Sequence, residues 1–246
     1  MEGGLVDYGP LRTGRIPTNQ APPRWGPDLT AAFPAPRHPG DTCLEFGCGN
    51  GRARPVIESY GYRWVGIDVA GSAMSAKCDG HYLPFADSCF ELVVSIAVFE
   101  HLYNPFRAAQ EVYRVLKPGG TFLGTTAFLE PFHANSYFHM SHLGVQKILT
   151  DAGFEVCRQW STWHFLEALS GFWMPAELSG PNTVVRAAAR VVAKSVMSVR
   201  ASGLRLVLNH KGANPAEIER RIQREYLTWT GGVAFLARKP EGSALH

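Results

Sequence analysis

Nowhere in this chain does an uninterrupted apolar run reach the roughly 18 residues that cross a bilayer. The start, Met1-Glu2-Gly3-Gly4, has neither a basic region nor an apolar core of the secretory type. A membrane-spanning or exported protein is disfavoured, and a cytoplasmic location is expected. Paired C-x-x-C spacing is also missing. The five cysteines, at 43, 48, 78, 89 and 157, are odd in number, so reduced thiols used as small core residues are expected rather than a disulfide framework or metal ligands. Charge of one sign is scarce in excess, and a formal net of +3 is too small to demand a polyanionic partner. No nucleic acid is expected as a partner.

What is present begins with Leu44-Glu45-Phe46-Gly47-Cys48-Gly49-Asn50-Gly51, an apolar strand that runs into a glycine-rich turn. Glycines at 47, 49 and 51 allow a tight turn and let a ligand approach the main chain. The G-x-G-x-x-G dinucleotide fingerprint is not met, because the third glycine comes one residue early. Glu45 disfavours a pyrophosphate further, since a carboxylate there repels anions and holds a cationic amino group. An NAD-type oxidoreductase is the rival that these two observations set aside. Tyr62-Arg63-Trp64-Val65-Gly66-Ile67-Asp68 reads as a second strand, and Asp68 at its carboxyl end is placed to accept hydrogen bonds from ribose hydroxyls, with Val69 beside it.

Three further runs follow in order: Asp79-Gly80-His81-Tyr82-Leu83-Pro84-Phe85, Leu92 to Leu102 with Ala97 and His101, and Glu111 to Gly120. Together with the glycine turn they resemble the class I S-adenosylmethionine-dependent methyltransferases, in particular the branch of ubiquinone and menaquinone biosynthesis methyltransferases. The resemblance is specific from about Asp41 to Phe128. One departure is Glu91, where the family has aspartate after the phenylalanine. It implies a Rossmann-like α/β fold with seven mostly parallel strands, the last antiparallel, and helices on both faces. It also implies S-adenosyl-L-methionine as cofactor. Glu45, Phe46, Gly47, Cys48, Gly49 and Gly51 then hold the methionine part, Asp68 and Val69 the ribose, Asp79 and Gly80 the adenine, with Ala97 and His101 shaping the pocket.

Three regions are expected. Residues 1–40, with eight prolines and six glycines and no helical or strand period, wrap the surface, with Trp25 and Phe33 as pins. Residues 41–165 and 231–240 form the methyltransferase core. Here a helix after Gly51 tolerates Pro55 in its first turn, and a helix from Pro105 to Leu116 places Phe106, Ala109, Val112, Val115 and Leu116 close to helical spacing. Strands are expected over 121–126, 154–160 and 232–238, with a helix over 143–152 closed by Gly153. Residues 166–230 are a helical insertion. Between Leu178 and Ala216 it has no acid but six Lys/Arg, and Arg186, Arg190 and Lys194 share one helix face. A lid helix with a solvated charged stripe is favoured there over a membrane-surface helix, because aromatic anchors are missing.

Methyl transfer needs a base only when the acceptor atom carries a proton, and histidine suits that task. Phe132 to His142 concentrates His133, His139 and His142 in the loop after strand five. His133 is the first choice as base and His139 the second, with Tyr137 as a positioning group. A metal on His139 and His142 is not expected, since no acid or cysteine nearby completes a ligand set. Trp160, Trp163, Phe165, Phe172 and Trp173 serve as either core or the wall of a flat, greasy pocket. The expected function is transfer of a methyl group to oxygen or nitrogen, with carbon left open, of a small, partly apolar metabolite, in secondary metabolism. A peripheral enzyme acting on a lipid-linked acceptor and a cofactor-binding scaffold without turnover stand as alternatives.

Overall fold

Apolar segments that end at glycine or acid become strands whose ends converge on one crevice. The computed structural model describes residue 25, residues 27–163, residue 165 and residues 184–242. Strand β1 (Thr42–Phe46) lies parallel to β2 (Arg63–Asp68), pairing Leu44 with Val65 and Phe46 with Ile67. A short β3 (Ala76–Lys77) extends β2, and β4 (Phe90–Ile96) flanks β1 on its other side. Next to β4 runs β5 (Leu116–Ala127). Its first residues, Leu116-Lys117-Pro118-Gly119-Gly120, make the bulge between the pairs Phe90 with Leu116 and Leu92 with Thr121. Strands β6 (Glu155–Ser161) and β7 (Gly232–Arg238) complete a seven-stranded sheet in the order β3-β2-β1-β4-β5-β7-β6. Only β7 is reversed, antiparallel to both β5 and β6. This is the Rossmann-like class I methyltransferase sheet.

Alternation in β4 sorts the core into two layers. Val93 faces α3 (Pro105–Val115) and α4 (His142–Asp151) together with Phe46, Phe122, Phe154 and Phe235. Leu92 and Val94 face α1 (Pro27–Ala32) and α2 (Arg54–Ser59) together with Trp25, Phe33, Leu123 and Trp160. The α1 helix corrects the expectation of an aperiodic segment. Pro27 and Asp28 suit a first turn, and Leu29 and Ala32 bury on one side, a signal too short for a helical period to show. Trp25 and Phe33 do pin the segment, with ring centroids 5.3 Å apart and both side chains buried. In α3 the inward face is Ala108, Ala109, Val112 and Val115. Phe106, which shares the helical spacing, is exposed, because small alanines let the helix sit close on the sheet.

After β6 come α5 (Val184–His210) and α6 (Pro215–Thr228), an antiparallel pair held by Leu208, Ile218 and Ile222. Asn214 caps α6 by accepting from Glu217 N–H at 2.9 Å. Phe172, Trp173 and residues 1–24, the larger part of the segment expected to wrap the surface, lie outside the described residues.

Candidate cofactor and acceptor site

The turn after β1 is tied to β2 by two backbone bonds, Gly47 N–H and Cys48 N–H each donating to Ile67 C=O at 2.9 Å. Its glycines divide by role. A Cβ on Gly47, which has φ +81°, would meet Val98 Cγ2 at 2.3 Å, and one on Gly51 would meet Ala73 Cβ at 2.9 Å. Both are there for protein packing. A Cβ on Gly49, φ +51°, would meet nothing within 4 Å, so this glycine alone of the three opens onto free space. Gly80 likewise presses its backbone on the Phe46 ring, where a Cβ would lie 2.1 Å from Cζ.

Asp68 sits at the end of β2 with one oxygen on each neighbouring loop: Oδ2 accepts from Gly49 N–H at 2.7 Å and Oδ1 from Ala70 N–H at 3.0 Å. A carboxylate has about four lone pairs, so each oxygen retains capacity for a hydroxyl donor. Val69 is exposed beside it. Glu45, one strand over, is buried, and its Oε2 accepts from the Trp64 indole N–H at 2.7 Å. Burial raises its carboxyl to about 7, aided by the Asp68 charge and opposed by the Trp64 hydrogen bond. A buried carboxyl bonded only by a neutral indole favours an added cation. Burial and the same two acids push the Cys48 thiol up, so it is an inert wall group.

The loop from 79 to 88 forms the other flank. Asp79 Oδ1 accepts from His81 N–H at 2.9 Å and contacts its Nδ1 at 2.5 Å. The backbone bond foremost, then the ring, hold its carboxyl below the ordinary range. His81 is buried, its Nε2 accepts from Asn104 N–H at 3.2 Å, and its ring stacks on Tyr103 at 3.8 Å. Arg114 clamps the loop from behind by donating to Leu83 C=O, Phe85 C=O and Asp87, while Glu111 accepts from Leu83 N–H at 2.8 Å.

Ala97, after β4, holds φ +55°, a left-handed conformation unusual for a residue with a Cβ. Its N–H is fixed by Thr125, at 3.1 Å to both the carbonyl and the hydroxyl. From there the chain enters a 3-10 turn, Phe99–His101, whose Glu100 is buried. Glu100 C=O accepts from Tyr137 N–H and Phe138 N–H at 2.7 and 3.1 Å, which pulls the loop after β5 over the turn. That loop brings His133 to His101, with ring centroids 5.2 Å apart, and His139 to His133, at 5.8 Å. His133 Nδ1 lies 3.1 Å from Pro131 C=O and 3.3 Å from Glu130 Oε1. His139 Nε2 is 3.1 Å from Ser136 Oγ. The Tyr137 ring is 64% exposed, and what this residue brings to the turn is its backbone N–H.

Several participants were missed from sequence. Glu130, three residues before His133, was available as an i, i+3 pair. Trp64 and Glu100 carried no signal, because their partners are remote in sequence. Glu100, His101 and His133 place one ligating atom each within 4.8 Å of the others, the three-ligand grouping found among the described residues, whereas His139 and His142 do not form one. His142 is drawn away instead: its Nδ1 is buried without a hydrogen-bond partner, and its carbonyl accepts from Gln159. Of the aromatics expected after the sixth strand, Trp160 lies within β6 and is core, and Phe165 packs on Trp229 at 5.9 Å.

The reversed last strand, the glycine turn after β1 and the acid ending β2 are arranged as in the class I methyltransferase fold. Residues 44–124 match the family model described as a methyltransferase domain. A Mycolicibacterium smegmatis protein described as a probable S-adenosylmethionine-dependent methyltransferase is 31% identical over 145 residues, 50% of this chain and 55% of that protein. The chain spans about half the length of the curated relatives it matches. An S-adenosylmethionine dependent methyltransferase from Mesorhizobium loti has the same fold, with TM-score 0.52 at 14% identity over 87% of this chain and 97% of that one. Phosphoethanolamine N-methyltransferase 2 of Haemonchus contortus, solved with phosphomonomethylethanolamine and S-adenosylhomocysteine, has TM-score 0.50 at 17% identity over 83% of this chain and 50% of that one.

Proposed function

We propose that this chain transfers a methyl group from S-adenosylmethionine to oxygen or nitrogen of a small, partly apolar acceptor, in a cytoplasmic setting. The observation that carries the reading is the free space at Gly49, whose N–H is held by Asp68, with the buried Glu45, its carboxyl raised to about 7, two residues before the same turn. Those residues fit the cofactor by chemistry. Glu45 would meet the amino group, Asp68 the ribose hydroxyls, and Asp79 the adenine amino group, with the open backbone of Gly49 between them. When bound, S-adenosylmethionine supplies a methyl group already activated on a sulfonium, which leaves the protein to align, exclude water and remove a proton.

The Glu100 turn and the loop after β5 supply the acceptor side of this reading. His133 donates its Nδ1–H to Pro131 C=O, with the Glu130 carboxylate alongside, which leaves Nε2 as the basic atom. Glu130 holds the ring and stabilises the charge that the ring gains when it takes the acceptor's proton. His101 and His139 border the same space.

The test is calorimetric titration with S-adenosylhomocysteine, followed by transfer of labelled methyl from S-adenosylmethionine to candidate small acceptors. Micromolar binding, lost in an Asp68→Ala variant that still melts cooperatively, supports the reading. Folded wild-type protein that binds no S-adenosylhomocysteine overturns it.

A further inference from the structure

The helix α5 is 27 residues long, about 40 Å at 1.5 Å per residue. Its packing face is narrow. Ala193, Met197 and Leu208 are buried, and Ala201 and Leu204 join the contact with α6. Seven other apolar side chains, Val184, Val191, Val192, Val196, Val199, Leu206 and Val207, stand in solvent, with Val184 at 84%, Val199 at 73% and Leu206 at 71% exposure. At 3.6 residues per turn these seven fall within an arc of about 160°, on the side opposite the packing face. An apolar surface of that extent on one long helix is not ordinary solvent-facing structure.

Cations border the exposed arc. Lys194 and Arg205 lie along one edge and Arg200 along the other. Arg200 and Arg205 are braced against α6 through Glu225 and Glu219, and Arg200 lies over the Trp229 ring at 5.3 Å. The helix itself contains no acid. Residues 184–228 hold nine of the chain's 24 Lys/Arg but only three of its 21 Asp/Glu, so the positive charge is concentrated on this hairpin. No helix among the described residues is long and apolar enough to cross a membrane.

We propose that the Val184–Val207 face of α5 docks in the plane of an anionic phospholipid bilayer, its valines and leucine entering the headgroup boundary while the bordering cations meet lipid phosphates. An arc apolar enough to enter the interface, edged by positive charge and too polar to span, is the pattern of an interfacial helix. The absence of large aromatic anchors is offset by the number of exposed branched side chains and the length of the helix. Charge complementarity selects a lipid surface over a second copy of this chain, whose own hairpin would bring like charges together. The inference rests on the hairpin alone and holds whether or not the chain transfers methyl groups.

The test is co-sedimentation of the full chain with phosphatidylcholine vesicles and with vesicles of phosphatidylcholine and phosphatidylglycerol, for wild type, Val191→Glu with Val199→Glu, and Lys194→Glu. These side chains are exposed, so the variants should fold, and unchanged thermal melting verifies it. The expected result is partition onto the anionic vesicles only, weakened by salt, and reduced about tenfold or more by the double glutamate variant. Equal partition of wild type and double variant overturns the proposal, as does absence of wild-type partition onto anionic vesicles. Self-association in sedimentation velocity, lost in the double variant and without vesicle binding, assigns the face to a dimer and overturns it as well.

Discussion

The indole N–H of Trp64 donates to Oε2 of Glu45 at 2.7 Å, across the β1–β2 pair. The bond exists because residue 66 is glycine: a Cβ there would sit 2.1 Å from Trp64 Cζ2. The ring therefore lies flat over the strand, with Arg54 over its outer face at 5.0 Å. One buried acid, one aromatic donor and one vacant Cβ position together fix the Glu45 carboxyl in place.

Glu45 should make cofactor binding pH-dependent. Burial raises its carboxyl from 4.5 to about 7, so between those values the folded apo-protein holds a proton that the unfolded chain has released. Its contribution to stability therefore falls as pH rises through that window. A bound ammonium reverses the preference. Titration with S-adenosylhomocysteine at about pH 6 should release up to about one proton, measured by calorimetry in buffers of different ionisation enthalpy. Glu45→Gln should abolish the release and weaken affinity. Identical proton release by that variant would remove Glu45 from the amino-group site.

Gly47 and Gly49 should respond oppositely to alanine. Gly47→Ala drives a methyl group into Val98 and strains a left-handed backbone, so stability should drop by about 2 kcal/mol or more. Gly49→Ala meets no atom and should cost only about 1 kcal/mol of backbone strain, yet its methyl fills the space proposed for the cofactor. Thermal melting and S-adenosylhomocysteine affinity, measured side by side, separate the two. Comparable affinity in Gly49→Ala and wild type would place the ligand elsewhere.

Arg114 should hold the 79–88 loop more than it holds the core. Burial pushes the Glu111 carboxyl up, but its bonds to Arg114 and Leu83 N–H win and keep it below the ordinary range. A depressed folded value means that this stabilisation is present above pH 4.5 and lost as pH falls through the folded value. Arg114→Ala should remove about 2 kcal/mol of stability and raise amide exchange at 79–88, as acidification does in wild type. Exchange that rises only globally would show that the clamp is not local.

His133→Ala should lower turnover by roughly a hundredfold or more if its Nε2 takes the acceptor proton, with cofactor affinity nearly unchanged. Glu130→Gln should cause a smaller loss and shift the pH–rate profile, because the amide orients the ring without stabilising its charge. A near wild-type rate in His133→Ala would move the role to His139 or His101.

The strand ends were legible in sequence because each is an apolar run stopped by glycine or acid, and β7 was read at its observed bounds, 232–238. The exposure of Phe106 and the presence of α1 were not legible, because helical spacing cannot tell a large exposed residue from a small buried one, nor detect a single turn and a half. The acceptor side was read only as a density of histidines. Glu100, which pulls the 137–138 backbone over the turn, was invisible, because a carbonyl that accepts from a segment more than thirty residues away leaves no local pattern.

By itself, the order of residues determined the sheet, the glycine turn and the acids at the ends of β1 and β2. These depend on neighbours along the chain, on periodicity and on backbone freedom. Only the tertiary structure decided which glycine faces open space, that Glu45 titrates near neutrality, that His101, His133 and His139 share one wall, and that the seven exposed apolar residues of α5 form a single face. Burial, electrostatic environment and exposure depend on what lies beside a residue in space, and here those neighbours come from distant parts of the chain.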